Sequence, residues 1–157
     1  LSPYIYNNLK FRLHPNSFRW AMKERIQQDF DNNKICSITK IENIFKKSKI
    51  VLNMDFQTSF YQSMFSGKPN IVFTSRKLIE SINPKIKALY EKFIEEKIIV
   101  TDTNDLNKHI NSIWDNPYEW WHKKSLIKLR KDFNYLCSKE TNNFSTEILQ
   151  IINNYES

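Results

Sequence analysis

Apolar residues in this chain fall into two alternating patterns, short continuous runs and longer stretches at helical spacing. The pattern predicts a first strand at residues 9–13 (LKFRL), stopped by His14 and Pro15, and a helix at 18–30 with Trp20, Met22, Ile26 and Phe30 on about one face. A second strand follows at 34–38. A helix at 39–47 opens with Thr39 and Glu42 at capping-box spacing. The centre of the chain, residues 49–73, reads as strand 50–53, a polar break at Asn53, Asp55 and Gln57, helix Thr58–Phe65, and strand Asn70–Phe73. Gly67, the single glycine, and Pro69 punctuate the return. Residues 74–83 read as a loop, 84–96 as a proline-opened helix, 98–100 as a short strand and 103–114 as a helix. A long helix at 118–137 and a last one at 145–154 complete the pattern.

Five strand candidates separated mostly by helices predict an α/β fold: a doubly wound, mostly parallel five-stranded sheet of Rossmann type with C-terminal helices. No repeat or linker divides the chain, so residues 1–157 are expected to form one domain, with 117–157 as a C-terminal helical extension. In a strand–helix–strand unit of this kind the strands run parallel, and ligands sit beyond their carboxyl ends where a helix presents unpaired N–H groups. That places any ligand of this chain in the unit at residues 49–73.

Composition adjusts this picture only slightly. An apolar fraction of 40% suits a folded domain, and no run of 18 apolar residues could span a bilayer. A net charge of +7 raises phosphate-bearing ligands or an anionic membrane surface as partners, but an excess of Lys, Asn and Ile with one glycine also fits compositional bias alone. The aromatic residues follow helix-core spacing and not that of a stacking platform, so nucleic acid is not an expected partner. Cys36 and Cys137 lie far apart with no metal-ligand spacing, which suits free thiols in a reducing cytosol. No secretion signal is expected at the start, and the missing initiating Met suggests a truncated end.

The sequence has no nucleophile motif, phosphate-binding glycine loop or metal-spaced cluster, so no metal and no cofactor is expected. Arg12 and His14, two apart at a strand end, could both grip a phosphate, or be a surface Arg and a turn-side His. Thr58 and Ser59 could cradle a phosphate with the free N–H groups of the helix start, or serve as plain caps. Asp55 could hold a ribose hydroxyl or make an Asx-turn, and Gln62 could reach a sugar or face solvent. Lys68 could contact a ligand or be a solvated turn residue. His109 and His122 read as structural, and Trp120-Trp121 as a packing wedge between neighbouring elements.

Several segments taken together resemble a known family. FRLHP with SFRWAMKERI, then TSFYQSMFSGKPNIVF, KALYEKFIEEKIIV, INSIWDNPYEWW and LIKLRKDF resemble, in order, the C-terminal half of leptospiral-type transferases of bacterial surface-polysaccharide loci, over about residues 9–135. The central segment is also similar to the nucleotide-facing helix of GT-B glycosyltransferases and of teichoic-acid-type glycerophosphotransferases. The resemblance implies a Rossmann-like C-terminal domain that binds a nucleotide-linked sugar donor across from an N-terminal acceptor domain. It carries Arg12 and His14 onto the basic strand-end motif as catalytic residues, and Thr58 and Ser59 onto the helix-start hydroxyls. Gly67, Lys68 and Pro69 match the turn that closes the helix. The family pattern has Glu where this chain has Gln62, whose single carbonyl oxygen is a poorer acceptor for ribose hydroxyls, implying weaker donor binding, a different donor or lost activity.

The function expected from the resemblance is sugar transfer from a nucleotide-sugar donor to a glycan or lipid-linked acceptor, in the cytoplasm or peripherally at the inner face of the membrane. The alternatives are a polyol-phosphate transferase with a CDP-glycerol type donor, and a non-catalytic module on an anionic membrane.

Overall fold

In the computed structural model, residues 1–14, 21–38 and 40–137 are described. At its centre three short apolar runs pair as a parallel sheet: β1 (Val51–Asn53), β2 (Asn70–Phe73) and β3 (Ile99–Val100), in the order β1-β2-β3. The register sets Val51 against Asn70, Asn53 against Val72 and Val72 against Ile99. Ile71 and Val72 of the middle strand are fully buried, as expected of a parallel strand covered on both faces.

Between β1 and β2 the chain crosses over through α4 (Thr58–Phe65), and between β2 and β3 through α5 (Arg76–Glu80) and α6 (Pro84–Glu95). Both crossovers step the same way across the sheet, so right-handed connections put α4 and α6 on one face. The last described helix, α9 (Lys124–Cys137), joins them there. Phe133 of α9 meets Phe60 of α4 at 5.5 Å and Phe93 of α6 at 5.4 Å between ring centroids, and all three are fully buried. Each such ring contributes about 1.5–3 kcal/mol through burial.

A polar tie lies within the same layer. Asn53 Nδ2 donates to Asn70 Oδ1 at 2.8 Å and Ser63 Oγ at 3.2 Å, and the Ser63 hydroxyl donates to the Phe60 carbonyl. These buried side chains link β1, β2 and α4, and removing one partner would cost about 1–3 kcal/mol. Helix α4 then stops at Gly67, whose φ of 72° is the left-handed conformation that glycine adopts without a Cβ penalty.

Outside this unit, α1 (Pro3–Asn8) is capped by Ser2 and α2 (Met22–Asp29) leads to a single 3-10 turn, Asn32–Lys34, and then α3 (Ile41–Lys47). Helix α7 (Thr103–Ile113) follows β3, and α8 (Pro117–Trp121) connects it to α9. Helix α1 lies on α7, with the Ser2 N–H donating to Asn111 Oδ1 and Tyr4 packed edge-on to Trp114.

The architecture corrects the sequence reading in four places and adds one helix, α1, where no element was expected. The sheet of the described residues has three strands, not five, and its order does not reverse as in a doubly wound sheet. The two N-terminal strand candidates meet in one parallel bridge, Phe11 to Ile35, closed by the Phe11 N–H to the Lys34 carbonyl and the Cys36 N–H to the Phe11 carbonyl; the 3-10 turn at residues 32–34 takes the first residue of the expected second strand. Residues 74–83 contain α5, formed because Ser75 caps it. The first residues form α1. The single helix expected at 118–137 breaks after Trp121, and α8 and α9 both pack into the main core through Trp121, Leu126 and Phe133. Thr39 of the expected capping box and the helix expected at 145–154 lie outside the described residues.

Candidate functional site

Parallel pairing gathers the carboxyl ends of all three strands on one edge, and three helices start there: α4 after β1, α5 after β2 and α7 after β3. The first N–H groups of a helix have no intrahelical partner and must be satisfied otherwise. Helix α5 uses Ser75, whose Oγ accepts from the Leu78 N–H, and α7 uses Asp102, whose Oδ1 accepts from the Asp105 N–H. Helix α4 differs from both. Its N-cap is Gln57, which makes no side-chain cap bond; its backbone carbonyl takes the Phe60 N–H at 2.9 Å.

Thr58 and Ser59 are therefore the first two helical residues and not its caps, with their N–H groups and hydroxyls at the helix mouth. Asp55 forms the Asx-turn: its Oδ1 accepts from the Gln57 N–H at 3.2 Å and fixes the approach to the helix. Gln62 is exposed one turn beyond Thr58 on the same face. Beneath the turn, Phe56 packs against Phe60 at 5.4 Å and Tyr90 of α6 at 4.9 Å, which anchors the loop to the core. Asp55, Thr58, Ser59 and Gln62 thus form one continuous surface.

The other expected residues do not join them. Lys68 sits at the opposite, amino edge, where its ammonium donates to the Ser48 carbonyl at 3.2 Å and lies over the Tyr118 ring. Arg12 and His14 are exposed on the segment after the Phe11–Ile35 bridge, outside the three-stranded sheet. They do not stand on a strand, so no pleat fixes them to one side.

One residue on the carboxyl edge was assigned no role from the sequence. Arg76 opens α5 directly beyond β2, and its Nη2 alone donates to both carboxylate oxygens of Glu91 of α6, at 3.2 and 3.3 Å, while its Nε lies 4.0 Å from Glu80 Oε1. The available signal was the Ser-Arg step immediately after an apolar strand, which reads as a helix start with a basic first residue.

The amino edge has a different electrostatic character. His109 of α7 packs edge-on against Trp120 at 4.8 Å, and burial, reinforced by Lys97 and Lys123, lowers its pKa from 6.5 to about 4. The imidazole is therefore neutral at neutral pH. Arg130 of α9 stacks over the Trp121 ring at 4.1 Å, and burial lowers its pKa from the ordinary value.

Among the described residues no helix is long and apolar enough to cross a membrane. No curated protein and no solved structure matches this chain. A family model does match it, over residues 1–152, and the chain belongs to that family, the LIC12162 family transferases.

Proposed function

We propose that this chain is the donor-binding domain of a GT-B type glycosyltransferase that takes a sugar from a nucleotide-linked donor in surface-polysaccharide synthesis. The observation that carries the reading is the helix start of α4. Of the three helices leaving the carboxyl edge, it alone has no side-chain cap, and it offers two hydroxyls beside its N–H groups. Such a mouth suits a diphosphate.

In this reading the acceptor hydroxyl attacks the anomeric carbon as the bond to the β-phosphate oxygen breaks, and the nucleoside diphosphate leaves with the electron pair and takes up the hydroxyl proton. Negative charge grows on the leaving phosphate, so donors aimed there lower the barrier. The Thr58 and Ser59 N–H and hydroxyl groups supply that aim, while Asp55 and Gln62 orient the ribose or sugar. Arg12 and His14, which lie outside the three-stranded sheet, are the catalytic pair of this reading, the groups that neutralise the leaving diphosphate. The glycan or lipid-linked acceptor sits on an N-terminal acceptor domain. The work is done in the cytoplasm, with peripheral contact at the inner face of the membrane.

Calorimetric titration with UDP, GDP, CDP and CMP tests the reading. Preferential binding of one nucleoside diphosphate, weakened in Thr58→Val, supports it. A protein that binds none of the four overturns it. If CDP is selected, mass analysis of the product decides between sugar and polyol phosphate as the group transferred.

A further inference from the structure

We propose that Arg76 is a further phosphate-binding residue of the α4 site, held in reserve by Glu91 and handed from that carboxylate to the donor diphosphate on binding; this rests on the donor-binding reading above.

The register brings Arg76 close to the site. β1 and β2 are neighbouring parallel strands, with Asn53 level with Val72, so α4 and α5, which leave their carboxyl ends, start on the same edge. The Phe56–Tyr90 contact fixes α6, and with it Glu91, beside the β1–α4 turn. Only Nη2 of the guanidinium meets the two oxygens of Glu91, so that pair does not use the two-nitrogen fork. A phosphate can take that fork and carries more charge.

Two features of the pair argue against a purely structural role. The Arg76 side chain is 52% exposed and Glu91 35%, so the guanidinium can leave its partner without unpacking the core. Glu80, 60% exposed and 4.0 Å away, is a loose second contact that locks nothing. Among the described residues α4 offers only neutral donors at the carboxyl edge, Lys68 is at the far edge and Arg12 lies outside the sheet, so Arg76 adds a cation on an element that starts from this edge. Glu91 then has a defined effect: it holds Arg76 extended and competes with the ligand.

The test is calorimetric titration of the best-bound nucleoside diphosphate against the full chain, Arg76→Ala, Arg76→Lys and Glu91→Gln, with thermal midpoints measured in parallel. We expect Arg76→Ala to weaken binding about tenfold to a hundredfold. Arg76→Lys should recover part of the loss, because Lys keeps the charge but not the fork. Glu91→Gln should bind about two- to fivefold more tightly by removing the competitor. A structural pair would instead give the same small change for both partners. Binding by Arg76→Ala within twofold of the unaltered chain, or equal weakening by Glu91→Gln, overturns the proposal while leaving the α4 site standing. Failure of the unaltered chain to bind any nucleotide overturns both.

Discussion

The two edges of the small sheet have the same kinds of ingredients, loop carbonyls, helix ends and cations, and use them in opposite ways. At the amino edge several cations and ring donors are engaged, although Asn70 Nδ2, His109 Nε2 and Trp121 Nε1 are buried there without a hydrogen-bond partner. Lys68 caps the Ser48 carbonyl and lies over Tyr118, Trp120 Nε1 donates to the Glu96 carbonyl, and Lys49 lies over Trp114. The segment from Trp114 through α8 works as an aromatic strap under the strands. At the carboxyl edge two helix starts are capped, one is left open, and an arginine is held by exposed carboxylates. The difference is between groups engaged within the fold and groups left open, and the proposed site rests on it.

Removing the strap should produce the largest effect. Trp121 is fully buried under Arg130, so Trp121→Ala should destabilise the protein by about 3–5 kcal/mol in urea unfolding. Nucleotide affinity measured on the folded fraction should stay within about twofold, because the edges are separate; a parallel loss would show them coupled.

A smaller effect comes from pH. The His109 pKa is lowered when folded, so between 6.5 and about 4 the unfolded state binds the extra proton and stability falls as pH falls. Urea midpoints should drop across that window and level off below it, and His109→Asn should flatten the drop. An unchanged slope in that variant would remove His109 as the cause.

The smallest effect is at the open helix. Gln57→Asp should cap α4 and stabilise the protein by about 1 kcal/mol, while setting a negative charge at the mouth that weakens nucleoside diphosphate binding. A gain in thermal midpoint together with a loss of affinity would show that the missing cap serves the ligand. A gain in both would break the contrast between the edges.

Helices α4, α6 and α7 and the three sheet strands could be read from the sequence, because an apolar run bounded by Gly, Pro or a polar break allows few other conformations. Helix α5 was missed because five residues carry too little periodicity, and only the Ser75 cap marks it. The break between α8 and α9 was missed because residues 122–125, HKKS, contain neither the proline nor the glycine that marks a helix stop. Of the candidate site, Asp55, Thr58, Ser59 and Gln62 were legible together because they are local in sequence. Lys68 was grouped with them by proximity along the chain, although a helix of eight residues carries it to the other edge.

By itself, then, the sequence determined the strand–helix–strand unit at residues 50–73 and the polar turn inside it, since both follow from local spacing and backbone chemistry. Tertiary structure alone decided that α4 starts without a cap beside two that are capped, that Arg76 reaches Glu91 across two helices, and that residues 9–13 and 34–38 share one bridge. Each of these depends on which distant backbone groups and side chains are brought within hydrogen-bonding distance, and neither propensity nor periodicity encodes that.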